Sequence, residues 1–161
     1  MTKLPRNRLI LSIAAVFALG LAFAPAAPAE DSKWFVSFER IPVPPVKRSD
    51  TTQLVEAGTI DTDGFTELVF SLGGEFKEAI PDSGTVGVVL IPDMEIFTYL
   101  LQNEGEFVFP LEAKVKIKDL PSAIFVSEQQ TARVAFPRYR AYLYNETSSG
   151  AVVSLFVYRT R

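Results

Sequence analysis

Leu111-Glu112-Ala113-Lys114-Val115-Lys116-Ile117-Lys118 alternates an apolar with a charged side chain at every step. Successive side chains of a strand point to opposite faces, so this octet is a β-strand with one face on a core and the other in water. Lysine on an exposed strand face resists edge-to-edge pairing, and Pro110 just before the octet suits an edge or a bulge. The strand is therefore expected at the margin of a sheet.

The same reading extends to either side. Residues 33–39 place Trp34, Val36 and Phe38 on one face, and residues 41–46, with three prolines, read as an extended Pro-rich connector across the domain's edge. Residues 52–60 and 65–72, joined through Asp61-Thr62-Asp63-Gly64, read as a hairpin. Gly73-Gly74 begins a polar loop that runs to Asp82-Ser83-Gly84, and residues 86–91 are apolar without alternation, as in a strand buried on both faces. A short helix is expected over 94–102, with Asp93 as its cap and Glu95 in its first turn, ending near Asn103 and Gly105. Residues 123–127 form a shorter strand, and the chain closes with a long hairpin turning through 145–150. Eight or nine strands spaced by turn signals predict an all-β fold, a single two-sheet β-sandwich with at most one short helix, in jelly-roll or immunoglobulin-like order.

The first 29 residues belong to a different class. Lys3, Arg6 and Arg8 precede an uncharged, mostly apolar run from Leu9 to Ala24, followed by Pro25 and the small-residue segment Ala27-Pro28-Ala29. That order is expected of a cleavable signal peptide, residues 1–29, leaving a domain over 30–161. The apolar run is shorter than the roughly 20 residues of a membrane-spanning helix. A secreted or periplasmic location, with no membrane attachment after cleavage, is the expectation. Cleavage also removes three cations, so that 13 basic residues stand against 19 acidic ones, a net charge of −6. Nucleic-acid binders carry a net basic footprint, so no nucleic-acid partner is expected.

Chemistry is narrowed by composition. The chain has neither histidine nor cysteine, so Ser-His-Asp and Cys-His nucleophile systems cannot be built, and the usual nitrogen and sulfur ligands of zinc and haem are missing. No cofactor and no metal are expected. Asp61-Thr62-Asp63-Gly64 has the opening of a calcium loop, but Phe70 falls where the bidentate glutamate belongs, so a plain turn is expected. Carboxylates remain. Glu75, Glu78, Asp93, Glu95, Glu104 and Glu106 could supply the acid pair of a glycoside hydrolase, but their number makes any one pairing unspecific. Asn145-Glu146-Thr147 matches the N-glycosylation acceptor at an expected hairpin tip.

One surface stands out. If the terminal hairpin sets Tyr142 opposite Ser154, then Tyr139, Ala141, Leu143, Val153, Leu155 and Val157 form an apolar inner face. Arg138, Arg140, Tyr142, Tyr144, Phe156 and Tyr158 share the outer one. Arginine and aromatic residues concentrate at binding hot spots, so these six are the candidate binding residues. The bland alternative is a cross-strand aromatic ladder that stiffens the hairpin, covered by the Pro-rich connector.

Charge is also segregated, with 13 acids and only Lys77 in residues 50–112, against 8 bases and 3 acids in 114–161. Local neutralisation between neighbouring sheets accounts for this, and head-to-tail association of copies, a homo-oligomer, is the alternative. Together these features predict an exported, non-catalytic binding module that contacts a protein or glycan. The competing readings are a carbohydrate-active hydrolase using a carboxylate pair and a self-assembling structural protein of the periplasm or cell surface.

Overall fold

The computed structural model describes residues 34–103, 111–118 and 122–161. The expected leader lies outside them, as do Gly105, Pro110, Glu104 and Glu106. Nine strands and one short helix are present among the described residues: β1 (Phe35–Val43), β2 (Val55–Asp61), β3 (Glu67–Phe76), β4 (Ser83–Pro92), α1 (Glu95–Asn103), β5 (Leu111–Lys118), β6 (Ile124–Val126), β7 (Gln130–Arg133), β8 (Arg138–Asn145) and β9 (Ala151–Thr160).

They form two antiparallel sheets. One runs β1-β9-β3, with β6 and β7 both on the far edge of β3, and the other runs β2-β8-β4-β5. Ser127 divides β6 from β7: its amide donates to the Leu72 carbonyl (2.8 Å), and its Oγ accepts from the Leu72 amide (3.0 Å). The two pieces thus act as one interrupted strand. The pairings nest as β1 with β9, β2 with β8, β3 with β6 and β7, and β4 with β5. This is an all-β two-sheet sandwich, and the nested pairing gives it jelly-roll order rather than the immunoglobulin order.

The core follows from the two-residue period. Leu68, Phe70 and Leu72 of β3 and Val153, Leu155 and Val157 of β9 face Val86, Val88 and Leu90 of β4 and Tyr139, Ala141 and Leu143 of β8, all buried. Burying each large aliphatic side chain contributes about 1.5–3 kcal/mol, and no disulfide is needed. β4 lies between β8 and β5, as its unalternating apolar run requires. β5 is an edge strand, and Lys114, Lys116 and Lys118 are exposed along it.

Both expected hairpins are corrected. β2 and β3 lie in different sheets, and so do β8 and β9. β8 is flanked by β2 and β4, and β9 by β1 and β3, so neither has a free side for the other. The segment 146–150 therefore crosses between the sheets. A strand also runs through Gly73-Gly74 to Phe76, where a loop is expected, because β9 pairs with β3 along its whole length. The Pro-rich stretch is only partly a connector. Ile41, Pro42 and Val43 belong to β1, an edge strand where proline's missing donor is tolerated.

Asn145 fastens the crossing between the sheets. It is fully buried, its Nδ2 donates to the carbonyls of Val43 (3.1 Å) and Ser149 (2.8 Å), and its Oδ1 accepts from the Thr147 amide (3.2 Å) and hydroxyl (2.7 Å). One amide thereby satisfies the end of β1 and both sides of the crossing, and the acceptor sequon is closed to glycosylation in the folded chain. Replacing it by alanine leaves buried groups without partners, each costing about 1–3 kcal/mol. Asn145→Ala is expected to lower unfolding free energy by about 2–4 kcal/mol in urea titrations; a loss under 1 kcal/mol would contradict this role.

Candidate functional site

Separating β8 from β9 divides the six expected binding residues between opposite surfaces of the sandwich. Arg138, Arg140, Tyr142 and Tyr144 lie on the outer side of the β2-β8-β4-β5 sheet. Phe156 and Tyr158 lie on the outer side of the other sheet. The contiguous aromatic-arginine face expected from the sequence does not exist, because each half is paired to different strands.

The β8 half is held by the molecule itself. Arg140 Nε donates to Asp93 Oδ1 at 2.7 Å, and Arg138 Nη1 lies 3.7 Å from Oδ2 of the same carboxylate. Asp93, the expected helix cap, thus binds two arginines of the basic segment, and local charge neutralisation occurs within one sheet. Hydrogen bonds to Tyr142 and Asp93 hold Arg140 above the ordinary arginine value, while burial raises Tyr142 against the opposing pull of Arg140. Tyr144 is buried. Its ring lies over Gly87, where an added Cβ would collide with it, and its hydroxyl donates to Glu112 Oε1 at 2.6 Å. Glu112 also meets Arg48 Nε at 3.0 Å and Lys114 Nζ at 3.1 Å. Arg48, just beyond the Pro-rich stretch, helps to close this surface over the ring, the covering role considered for the connector.

Burial alone would raise the Glu112 carboxyl, but hydrogen bonds from Tyr144 and Lys114 and the charge of Arg48 outweigh it and hold it below its ordinary 4.5. A depressed folded-state value stabilises the fold above the unfolded value and stops doing so as pH falls through the folded one. Wild-type melting temperature is therefore expected to drop below about pH 4.5 more steeply than that of Glu112→Gln, the two curves converging at low pH. Parallel curves would remove Glu112 from the acid response.

The other outer surface differs in kind. Alternate residues of β9, β1 and β3 bring Phe156, Tyr158, Phe35, Ser37, Val69, Ser71 and Gly73 to one face. Phe35 lies near-parallel to Phe156 (centroids 6.4 Å, planes 12° apart) and tilted against Tyr158 at 4.8 Å. Ile124 and Val126 of β6 stand on the same face at 65% and 71% exposure, and Tyr158 at 55%. Monomeric proteins rarely leave such apolar groups contiguous and uncovered. Between Phe156 and Val126 runs a groove of about 280 Å³ over Gly73, bounded also by Ile124, Ser154, Arg40 and Glu75.

Arg40 reaches this groove by an unusual backbone. It sits at a bulge between Phe38 and Ile41 with φ of 56°, the left-handed region that non-glycine residues occupy at a cost. Its amide donates to Ser154 Oγ at 3.0 Å, and its guanidinium crosses β9 to Glu75 Oε1 at 3.1 Å. Sequence reading missed Phe35, Arg40, Gly73, Ile124 and Val126. The available signal was Phe35 itself, a ring out of phase with Trp34, Val36 and Phe38.

Of the carboxylates named as possible acids, Glu104 and Glu106 lie outside the described residues, and Glu75 and Asp93 stand on opposite faces. Glu75 is on this face with Arg40, while Asp93 is across the sandwich with Arg140 and Arg138. Asp93 and Glu95 share a second groove of about 450 Å³ with Tyr99 and Arg140. Asp61 Oδ1 accepts from the Asp63 amide at 3.0 Å, an Asx-type turn in place of a calcium loop.

No protein-family model and no curated protein sequence matches the chain. Among solved structures, a chain from the structure of Triatoma virus is similar with a TM-score of 0.38 and 11% identity, over 76% of this chain and 64% of that one.

Proposed function

We propose that this is an exported, non-catalytic binding module, secreted or periplasmic, that contacts a protein or glycan through the outer face of the β1-β9-β3 sheet. The observation that carries the reading is the row of exposed Phe35 and Tyr158 with half-buried Phe156, beside exposed Ile124 and Val126. Large rings cover area with few torsions to immobilise, and such residues dominate binding energy. Export is supported by the order of basic, apolar and small residues over 1–29.

Two of the six residues named from the sequence, Phe156 and Tyr158, belong to this surface. The other four are assigned to the opposite face, where ion pairs and burial already engage them. The test compares the immobilised domain with Phe156→Ser/Tyr158→Ser and with Tyr142→Ser, each checked for an unchanged far-ultraviolet spectrum, against a glycan array and against candidate partner proteins by surface plasmon resonance. The double variant is expected to weaken binding about tenfold or more, about 1.4 kcal/mol, while Tyr142→Ser leaves it unaltered. Affinity indifferent to the double variant, or lost only with Tyr142→Ser, would sink the assignment.

A further inference from the structure

We infer that the groove over Gly73 is a subsite for one ring of a neutral oligosaccharide, whose neighbouring rings lie along Phe35 and Tyr158. This rests on the binding role just proposed for the same face and names its ligand class.

Shape comes first. At about 280 Å³ the groove lies just below the roughly 300–1,000 Å³ of drug-sized ligand sites, room for a single ring-sized group. Its floor is Gly73, which has no side chain, and its walls are the Phe156 ring and the Val126 and Ile124 side chains. A pyranose has a face of C–H groups with partial positive charge, which the negative face of an aromatic ring attracts. Phe35 and Tyr158 continue the aromatic surface beyond the groove, so a chain of rings meets a row of rings.

The polar groups then select the chemistry. Arg40 and Glu75 are joined by one N···O contact of 3.1 Å and are both exposed. A guanidinium has five N–H donors and a carboxylate two oxygens, so the pair offers donors and an acceptor side by side. Neighbouring sugar hydroxyls each donate and accept, and match such a pair. A phosphate or carboxylate ligand would be repelled by the like charge of Glu75, and a cation by that of Arg40, so a neutral ligand fits best. Arg40 has a left-handed backbone at the β1 bulge, and its guanidinium lies at the rim of the groove, paired with Glu75.

The experiment screens neutral oligosaccharides on an array, then titrates the hits into ¹⁵N-labelled domain at low and high salt. Expected are millimolar or tighter binding, insensitivity to salt, and amide shifts centred on Gly73, Gly74 and Ser154. A Cβ at Gly73 would meet Phe125 O, Val126 Cγ2 and Phe156 Cε2 at 3.6–3.9 Å, ordinary contact, so Gly73→Val is expected to fold and to fill the groove. It should reduce affinity at least tenfold. Arg40→Gly relieves the left-handed residue while removing the guanidinium, and should weaken binding about tenfold with an unchanged or higher melting temperature. Phe156→Ala serves as a second groove variant should Gly73→Val fold poorly. Binding that survives both groove variants overturns the subsite. So does the absence of any neutral-saccharide hit; if a purified protein then binds in a Phe156- and Tyr158-dependent manner, the binding role stands and only the sugar assignment falls.

Discussion

The ladder between β3 and β9 is the constraint on which the rest depends. It pairs Glu67 with Thr160 at one end and Phe76 with Ala151 at the other, without a break in register. With β1 on its other side, β9 has no edge left for β8, and β8 is filled in turn by β2 and β4. Backbone hydrogen-bonding groups are obligatory, so once these long-range ladders form, the crossing of the chain between sheets at 146–150 follows. Asn145 then satisfies the crossing from within the core.

The same constraint gives the two outer faces different characters. On the β8 side, the segment after β1 brings Arg48 to Glu112, and the end of β4 brings Asp93 to Arg140 and Arg138. Glu112 and Asp93 there each meet cations of neighbouring segments, and the Tyr144 ring is enclosed. The loop is also tied to α1, with the Thr51 hydroxyl donating to the Leu101 carbonyl. On the β9 side, the charge pair of Arg40 and Glu75 lies at the rim, and Phe35 and Tyr158 of the aromatic row are exposed. Arginine and aromatic side chains thus appear on both faces with opposite uses. On one, Tyr144 is buried under its partners; on the other, Tyr158 and Phe35 are exposed.

Much of the fold was legible locally. The alternation in 111–118 predicts an edge strand with outward lysines, the unbroken apolar run in 86–91 predicts a central strand, and Pro92-Asp93 precedes the helix; all three hold. The alternation in β8 and β9 also separates inward from outward residues correctly, since Ala141, Leu143, Leu155 and Val157 are buried. The site was half legible. Phe156 and Tyr158 were named, but they were joined to Arg138, Arg140, Tyr142 and Tyr144 through a hairpin that does not form. Five residues between two strands suit a hairpin and a crossing between sheets equally well, and nothing within those residues distinguishes them. Gly73-Gly74 misled for a similar reason. Glycine signals a turn on local propensity, yet here Gly74 lies against the Val152 carbonyl and the Phe125 ring, and Gly73 leaves a groove open.

What the sequence by itself determined is which residues face inward and which outward, because strand periodicity is a property of a single segment and its burial. Which outward residues share a surface was decided only by the tertiary structure. That depends on the hydrogen-bonding partners of each strand, and β9 finds them in segments more than 70 positions away, at Leu72 and Phe38 beside Leu155. Arg40 makes the point at one residue: its charge is plain in the chain, but its place over the groove comes from a bulge in β1 and from the position of Glu75 two strands across.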